Sequence, residues 1–147
     1  MPRYVTHVKT PWEPARAFEY LVDLEHFADW DPGVTKATRV GITAPGLGAE
    51  YDVTVKNAGR EQTLRYTTVA AEAPNRIEVR AETTMLRSVD VMTIEPDPAG
   101  GCAVTYDADL SLKGIAVLGT PLLALAFKRI GDRAAEGLRR VLEGQEA

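Results

Sequence analysis

The chain has 147 residues, a formal net charge of −4 and a hydrophobic content of 45%. This length fits a single domain over residues 1–147 that buries roughly two thirds of its unfolded surface. Acidic and basic residues are interspersed, so no basic face is available to neutralise phosphates and we expect no nucleic-acid partner. The first residues lack the pattern of a cleavable signal and no apolar run reaches the ~18 residues of a membrane span, so we expect a cytoplasmic protein.

The sequence carries few residues suited to metal or cofactor chemistry. Its single cysteine, Cys102, excludes an internal disulfide, and His7 and His26 have no neighbours at metal-ligand spacing. Ser88 and Ser111 lie outside the glycine-flanked turn that a hydrolase nucleophile uses. No dinucleotide fingerprint and no phosphate loop is present. We therefore expect neither a metal nor a cofactor, and no hydrolytic or nicotinamide-dependent activity.

The N-terminal part predicts one strand followed by two short helices. The strand covers residues Arg3–Thr10. The first helix covers Pro14–Val22 and places its apolar residues on one side. Asp23 can cap a second helical piece that ends near Trp30. The Asp-Pro-Gly sequence at 31–33 then predicts a turn, because proline restricts the residue before it and glycine permits the reversal.

Six further segments are extended in pattern and are separated by short turns rich in glycine, proline and asparagine. With connections this short, strands adjacent in sequence should be antiparallel neighbours in space. Alternation of apolar and polar residues predicts that one face of the sheet points toward the C-terminal helix. The segments are 34–40, 50–56, 63–69, 76–83, 87–95 and 103–112.

A long helix is predicted over residues 120–143. Thr120 can accept a hydrogen bond from an early backbone N–H, and Pro121 suits the first helical position. Apolar residues recur at helical spacing along one side and charged residues fill the other. From Gly114 to Phe127 no residue is charged, so we expect this part to need more cover than one sheet face gives. Cavity lining is the favoured explanation, and a transient contact with a membrane or a partner is the alternative.

This order of elements predicts an α+β fold in which a curved antiparallel sheet of about seven strands wraps around the long C-terminal helix. A sheet curved this far around one helix does not usually fill completely, so we expect one elongated apolar cavity between helix and sheet. The expected ligand contacts are Trp30, Tyr51, Val53, Tyr66, Val79, Met92, Tyr106, Leu123, Phe127 and Ile130.

Three residues are weak candidates for proton transfer inside this cavity. Tyr66 and Tyr106 would each put a phenol inside if their side chains face inward, although core packing also explains such tyrosines. Asp90 faces inward only if its strand presents Met92 and Ile94 to the core. We favour the outward orientation, because a lone buried carboxylate costs several kcal/mol unless it is paired or protonated.

Two stretches, AFEYLVD at 17–23 and FADWDPGV at 27–34, are followed by a Gly-Gly turn at 100–101 and by the amphipathic final helix. Together with the order of elements, they resemble the SRPBCC (START-like) superfamily, and within it the polyketide cyclase/dehydrase and lipid transport branch. The resemblance covers nearly the whole chain and implies a helix-grip scaffold around a hydrophobic pocket. Members of that superfamily include lipid and sterol carriers, hormone-binding proteins, aromatase/cyclases and coenzyme Q-binding proteins, so the fold alone does not select a function.

Two functions from different classes fit these observations. The first is binding of a hydrophobic small molecule, such as a lipid, an isoprenoid or a polyketide-like compound, and it requires only the cavity. The second is an aromatase/cyclase or dehydrase that acts on a polyketide-type substrate, and it requires an inward polar group with a shifted pKa as well. We favour the first, because the predicted inward faces are mostly apolar.

Overall fold

A computed structural model of the chain describes residues 3–57, 59–143 and 145–146. The elements follow the predicted order. The strands are β1 (Arg3–Thr10), β2 (Val34–Val40), β3 (Glu50–Asn57), β4 (Arg60–Glu72), β5 (Arg76–Glu82), β6 (Leu86–Pro96), β7 (Cys102–Leu112) and the two-residue β8 (Gln145–Glu146). The helices are α1 (Pro14–Val22), α2 (Phe27–Trp30) and α3 (Thr120–Val141), with 3₁₀ turns at Leu24–His26 and Gly114–Gly119.

The strands form one antiparallel sheet in the order β2-β3-β4-β5-β6-β7-β1-β8. Strands β2 to β7 pair with their neighbours in sequence, as short connections require. β1 instead pairs with β7, so that Arg3 lies opposite Asp109 and Thr10 lies opposite Cys102. α3 packs against β1 and α2. The predicted helix-grip architecture, a curved antiparallel sheet around a long C-terminal helix, is confirmed.

Alternation of buried and more exposed residues along the strands builds the inner face of the sheet. On β7 the residues Cys102, Val104, Tyr106 and Ala108 are buried, and the residues between them are half-exposed. Because side chains point to opposite faces at every second position, this face forms the core beneath the helices. The single cysteine of the chain is therefore a small buried residue at the start of a strand.

Two glycines allow α3 to approach its neighbours closely. A Cβ atom at Gly137 would overlap the carbonyl oxygen of Trp30, and a Cβ atom at Gly131 would overlap the ring of Tyr4. Glycine in a helix interior costs about 1 kcal/mol relative to alanine. The close contacts with α2 and β1 explain why these two positions in α3 carry glycine.

The ends of α3 differ from the prediction. Thr120 is already helical, Gly119 occupies the N-cap position, and no described side chain caps this helix. The preceding 3₁₀ turn is the reason, because it has the backbone N–H of Thr120 donating to the carbonyl oxygen of Val117. The predicted hydroxyl cap is therefore wrong, and the helix ends at Val141 rather than Glu143. The cap predicted for the helical piece after Asp23 is confirmed. A carboxylate oxygen of Asp23 accepts a hydrogen bond from the backbone N–H of Glu25, in the 3₁₀ turn Leu24–His26.

The uncharged segment around the start of α3 leaves several apolar side chains in solvent. Leu118 and Leu125 are 81% and 79% exposed, and Val117 is half-exposed. Among the residues that the structure describes, no helix is both long enough and apolar enough to cross a membrane. A transient contact of this segment with a membrane surface or a partner stays a prediction.

Candidate functional site

A cavity of about 250 Å³ lies between α3 and the inner face of the sheet. Strands β3, β4, β6 and β7, helix α3 and the turn after α2 all contribute to its walls. This volume lies slightly below the roughly 300–1,000 Å³ common for small-molecule sites, and such sites are mostly apolar. The apolar and aromatic lining residues are Phe27, Val34, Val55, Leu64, Tyr66, Leu86, Tyr106, Ala108, Leu110, Leu112, Leu123, Phe127, Ile130 and Ala134, with Tyr4.

The structure brings part of the predicted set of ligand contacts to this cavity. Tyr66, Tyr106, Leu123, Phe127 and Ile130 line it. The two tyrosines come from the buried faces of β4 and β7, and the other three residues come from one side of α3. The helical spacing of the α3 residues places them on the side that faces the sheet.

The remaining predicted contacts lie elsewhere in the core. Trp30, Val79 and Met92 surround a much smaller gap of about 10 Å³ next to the cavity. Tyr51 and Val53 line neither space, although both are completely buried. Alternation on β3 turns them inward, and the 3₁₀ turn at Leu24–His26 packs against the neighbouring strand β2. An inward side chain reaches the cavity only where no helix packs directly on it.

Asp90 faces inward, so the expectation that it points to solvent is wrong. Its exposed fraction is 4%, and Met92 and Ile94 are buried on the same side of β6. The hydroxyl of Tyr106 donates a hydrogen bond of 3.2 Å to Oδ2 of Asp90. This donor on the neighbouring strand partly replaces the lost hydration, which reduces the cost of burying the carboxyl group.

Other polar groups face the same cavity. The hydroxyls of Tyr66 and Ser88 are 2.8 Å apart and form a buried hydrogen bond between β4 and β6. Asp31 follows α2 and accepts a hydrogen bond of 2.9 Å from the backbone N–H of Gly33 at its Oδ1. The cavity therefore has an apolar body and a polar wall that includes the carboxyl groups of Asp31 and Asp90 and the hydroxyls of Tyr66, Ser88 and Tyr106. Lys56 and Gln62 complete its polar lining.

Burial perturbs the acidity of both carboxyl groups. It raises the pKa of Asp90 to about 7, against the lowering effect of the Tyr106 hydrogen bond and with a further rise from the charge of Asp31. Burial also raises the pKa of Asp31 to about 6, partly opposed by the hydrogen bond from Gly33. The pKa of Tyr106 lies well above its usual value because its hydroxyl is buried beside Asp90. Near neutral pH the two carboxyl groups can hold, donate or accept a proton, and the phenol stays protonated.

Two of these groups were not singled out from the sequence as site residues. Asp31 belongs to an Asp-Pro-Gly turn, and that local signal is present in the sequence, but it predicts only the turn and not the burial of the carboxyl group. Ser88 was excluded as a nucleophile, and its hydrogen bond with Tyr66 joins strands that are not adjacent in the sheet. Both residues become site candidates only once the strands are assembled.

Neither histidine lines the cavity. His7 makes a hydrogen bond of 2.9 Å with the hydroxyl of Thr105 on the exposed side of the sheet. The ring of His26 stacks on Tyr20 with centroids 4.3 Å apart. Within residues 3–57, 59–143 and 145–146, no group of three or more His, Cys, Asp or Glu side chains is placed to hold a metal ion.

Comparison with solved structures finds the same fold in several proteins. TTHA0849 from Thermus thermophilus aligns with a TM-score of 0.77 and 17% identity, over 97% of this chain and 95% of that one. A START superfamily protein from Mycobacterium smegmatis aligns with a TM-score of 0.76 and 12% identity, over 96% and 97% of the two chains. At such identities the likeness concerns the fold alone.

The di-domain ARO/CYC protein BexL, from the BE-7585A biosynthetic pathway, also shares the fold. It aligns with a TM-score of 0.69 and 12% identity, and 97% of this chain covers 50% of that chain. No curated protein sequence matches the chain. The model of one family, described as polyketide cyclase / dehydrase and lipid transport, matches residues 1–143. The chain therefore belongs to the polyketide cyclase/dehydrase and lipid transport family.

Proposed function

We propose that the protein binds a hydrophobic small molecule, such as a lipid, an isoprenoid or a polyketide-like compound, between α3 and the sheet. The observation that carries this proposal is the cavity of about 250 Å³ with its apolar lining. Protein interiors are normally packed to the density of organic crystals, and an unfilled apolar space loses the contacts that its walls would otherwise make. A ligand that fills the space restores those contacts, and the family's description as lipid transport supports this role.

The proposed ligand contacts are those predicted residues that line the cavity. Leu123, Phe127 and Ile130 contact the ligand from α3, and Tyr66 and Tyr106 contact it from the sheet. Phe127 is partly buried, so its ring has room to adjust to a ligand.

A cavity-filling variant tests this function. Ala108 is buried on β7 and lines the cavity, whereas Ala103 is half-exposed on the opposite face of the same strand. Each alanine is replaced by leucine, and binding of the neutral fluorescent probe N-phenylnaphthylamine to each variant is measured by titration. Ala108→Leu should weaken probe binding by about tenfold or more, a loss of ~1.4 kcal/mol, and Ala103→Leu should leave it unchanged. Equal affinities for the two variants and the unmodified protein would overturn the proposal.

The identity of the natural ligand is a separate measurement. Native mass spectrometry of the freshly purified protein should show a mass excess that denaturation removes. The released compound can then be assigned to a chemical class.

A second candidate function, cyclisation or dehydration of a polyketide-type substrate, is favoured by one specific observation. Asp31 and Asp90 face the same apolar cavity, and both have pKa values near the operating range of a general acid or base. In an intramolecular aldol step, the ionised Asp31 would take a proton from a carbon between two carbonyl groups. The new carbon–carbon bond would form as Asp90 gives its proton to the accepting carbonyl oxygen.

The cyclase candidate has its own test. A linear poly-β-ketone thioester is incubated with the protein, and the products are analysed by liquid chromatography and mass spectrometry. Catalysis would be supported if the protein forms a cyclic product and the Asp90→Asn variant forms it at least about tenfold more slowly. If the thioester stays unchanged while the protein binds N-phenylnaphthylamine normally, this reaction is excluded and ligand binding remains the function.

We propose the cytoplasm as the compartment in which the protein acts. Detection of the protein in the cytosolic fraction of fractionated cells, and its absence from the membrane pellet, tests this assignment.

A further inference from the structure

Two carboxyl groups face the cavity, and neither has a cationic partner in the part of the chain that the structure describes. Asp31 approaches from the turn after α2 and Asp90 from β6. The remaining charged residue of the lining, Lys56, is exposed and belongs to none of the ion pairs among the described residues. A ligand that reaches the buried part of the cavity therefore meets two carboxyl groups that are paired with no cation among the described residues.

Each carboxyl group has one oxygen in use and one available. Oδ2 of Asp90 accepts from Tyr106, and Oδ1 of Asp31 accepts from the backbone of Gly33. The described residues provide no hydrogen-bond donor to the second oxygen of either group. Asp90 and Asp31 are only 4% and 9% exposed, so bulk water gives little compensation. Both second oxygens keep some accessible area and reach the cavity, where a ligand can supply the missing donor.

Aromatic rings complete the surroundings of these groups. Phe27, Tyr66 and Tyr106 line the cavity from α2 and the sheet, and Phe127 lines it from α3. The face of an aromatic ring carries partial negative charge and attracts an ammonium group, most strongly where water is excluded. An aromatic lining is therefore compatible with the cationic head group that the carboxyl groups favour.

We infer that the ligand is a hydrophobic amine, whose protonated nitrogen lies against Asp31 and Asp90 while its apolar part fills the space beneath α3. This inference rests on the proposed binding function and narrows it to one class of compound. A fatty acid head group at the same wall would bring a further negative charge next to Asp31 and Asp90, and the cation of the lining, Lys56, is exposed and paired with neither of them. A long-chain alcohol would satisfy one free oxygen but would gain no charge attraction.

The protonation of the two carboxyl groups gives the inference a second signature. A bound cation favours their ionised forms, so it lowers the raised pKa values of Asp31 and Asp90 and releases protons on binding. An alkylammonium group resembles that of lysine, with a pKa near 10.4, and stays charged at neutral pH. Amine affinity should therefore increase between about pH 6 and about pH 8, whereas alcohol affinity should not.

Three ligands with the same chain and different head groups test the inference. Decylamine, decanol and decanoate each compete with N-phenylnaphthylamine at about pH 7.5, below their aggregation concentrations. We expect decylamine to bind at least about tenfold more tightly than decanol, and decanol more tightly than decanoate. Asp90→Asn and Asp31→Asn should each remove most of the preference for decylamine over decanol. Asparagine keeps an Oδ1 acceptor for Gly33 or Tyr106, so both variants retain the local hydrogen bond.

A matched variant distinguishes the effect of the carboxyl groups in the cavity from the effect of the overall negative charge of the protein. Glu19→Gln removes one exposed carboxylate on α1, outside the cavity lining, and should leave the preference for decylamine intact. The inference would be overturned if decylamine bound no more tightly than decanol, or if both asparagine variants still bound decylamine more tightly than decanol. The binding function would stand in either case. If none of the three ligands displaces the probe and Ala108→Leu leaves probe binding unchanged, the binding function fails together with the inference.

Discussion

The hydroxyl of Tyr106 on β7 donates a hydrogen bond of 3.2 Å to Oδ2 of Asp90 on β6. The two residues are diagonal neighbours in the sheet, since Tyr106 lies opposite Met92 and Asp90 lies opposite Ala108. A tyrosine is long enough to bridge such a diagonal. This pair makes a buried carboxyl group tolerable, and it also sets the polar wall of the cavity.

Asp90→Asn should stabilise the protein more at alkaline than at acidic pH. The pKa of Asp90 is about 7 in the folded protein, against about 3.9 in an unfolded chain. Its favourable contribution is complete below about pH 4 and is lost as the pH rises through about 7. Relative to the unmodified protein, the variant should gain on the order of 2 kcal/mol more at about pH 8 than at about pH 5 in urea unfolding.

The control for this experiment is Glu19→Gln, which alters an exposed position. Its effect on the free energy of unfolding should stay within about 0.5 kcal/mol at both pH values. A gain from Asp90→Asn of the same size at both pH values would contradict the burial of an ionisable group at this position.

Phe127→Ala should weaken ligand binding at a modest cost in stability. The ring of Phe127 lines the cavity and is only partly buried, so its removal leaves fewer contacts unsatisfied than in a solid core. We expect a loss of about 1 to 3 kcal/mol in the free energy of unfolding, at or below the low end of the solid-core range. Binding of N-phenylnaphthylamine should weaken in parallel.

Leu138→Ala is the comparison for Phe127→Ala on the same helix. Leu138 is completely buried and does not line the cavity. Its truncation should cost about 2 to 5 kcal/mol of stability and leave the affinity for the probe unchanged. If both substitutions reduce probe affinity equally, the ligand does not lie where the cavity is.

Gly137→Ala should destabilise the protein, although alanine is the better helix former. In an open helix this substitution gains about 1 kcal/mol. Here the new methyl group would overlap the carbonyl oxygen of Trp30, which belongs to the backbone and cannot rotate away. Overpacking of this kind typically costs about 1 to 3 kcal/mol, and a lower midpoint of thermal unfolding would reveal it.

Gly131→Ala provides the graded comparison. Its methyl group would overlap the ring of Tyr4, which is a side chain that can shift. The loss at Gly131 should therefore be smaller than the loss at Gly137. A stabilising effect at Gly137 would show that α2 and α3 are farther apart than the structure places them.

The order of elements was predictable because each one has a local signature. Alternation over β7 and the apolar stripe of α3 both follow from side-chain periodicity, so their bounds agree with the prediction to within a few residues. The start of α3 shows the limit of a local rule. Thr120 and Pro121 have the residue types of a helix start, but the preceding 3₁₀ turn already occupies the position of the cap.

The site was less predictable, because its composition depends on contacts between distant elements. On β6, Val89 and Val91 compete with Met92 and Ile94 for the inner face, and the sequence alone contains no decisive signal. The partner hydroxyl on β7 is one of the features that make the inward orientation of Asp90 tolerable. Whether an inward residue lines the cavity or lies under a helix depends on packing that no periodicity encodes.

The pairing of the first strand with β7 has a consequence for how the protein is made. Arg3 and Asp107 are joined by an ion pair although they are 104 positions apart in sequence. During synthesis β1 leaves the ribosome first, and it cannot pair with β7 until β7 has also been synthesised. Contacts between residues so distant in sequence slow folding, because the loop between them must close before the pairing contributes. In a nascent chain stalled after β6, the edges of β6 and β1 that pair with β7 in the finished sheet are unpaired. Such a chain should aggregate, whereas a chain released beyond β7 can complete the sheet.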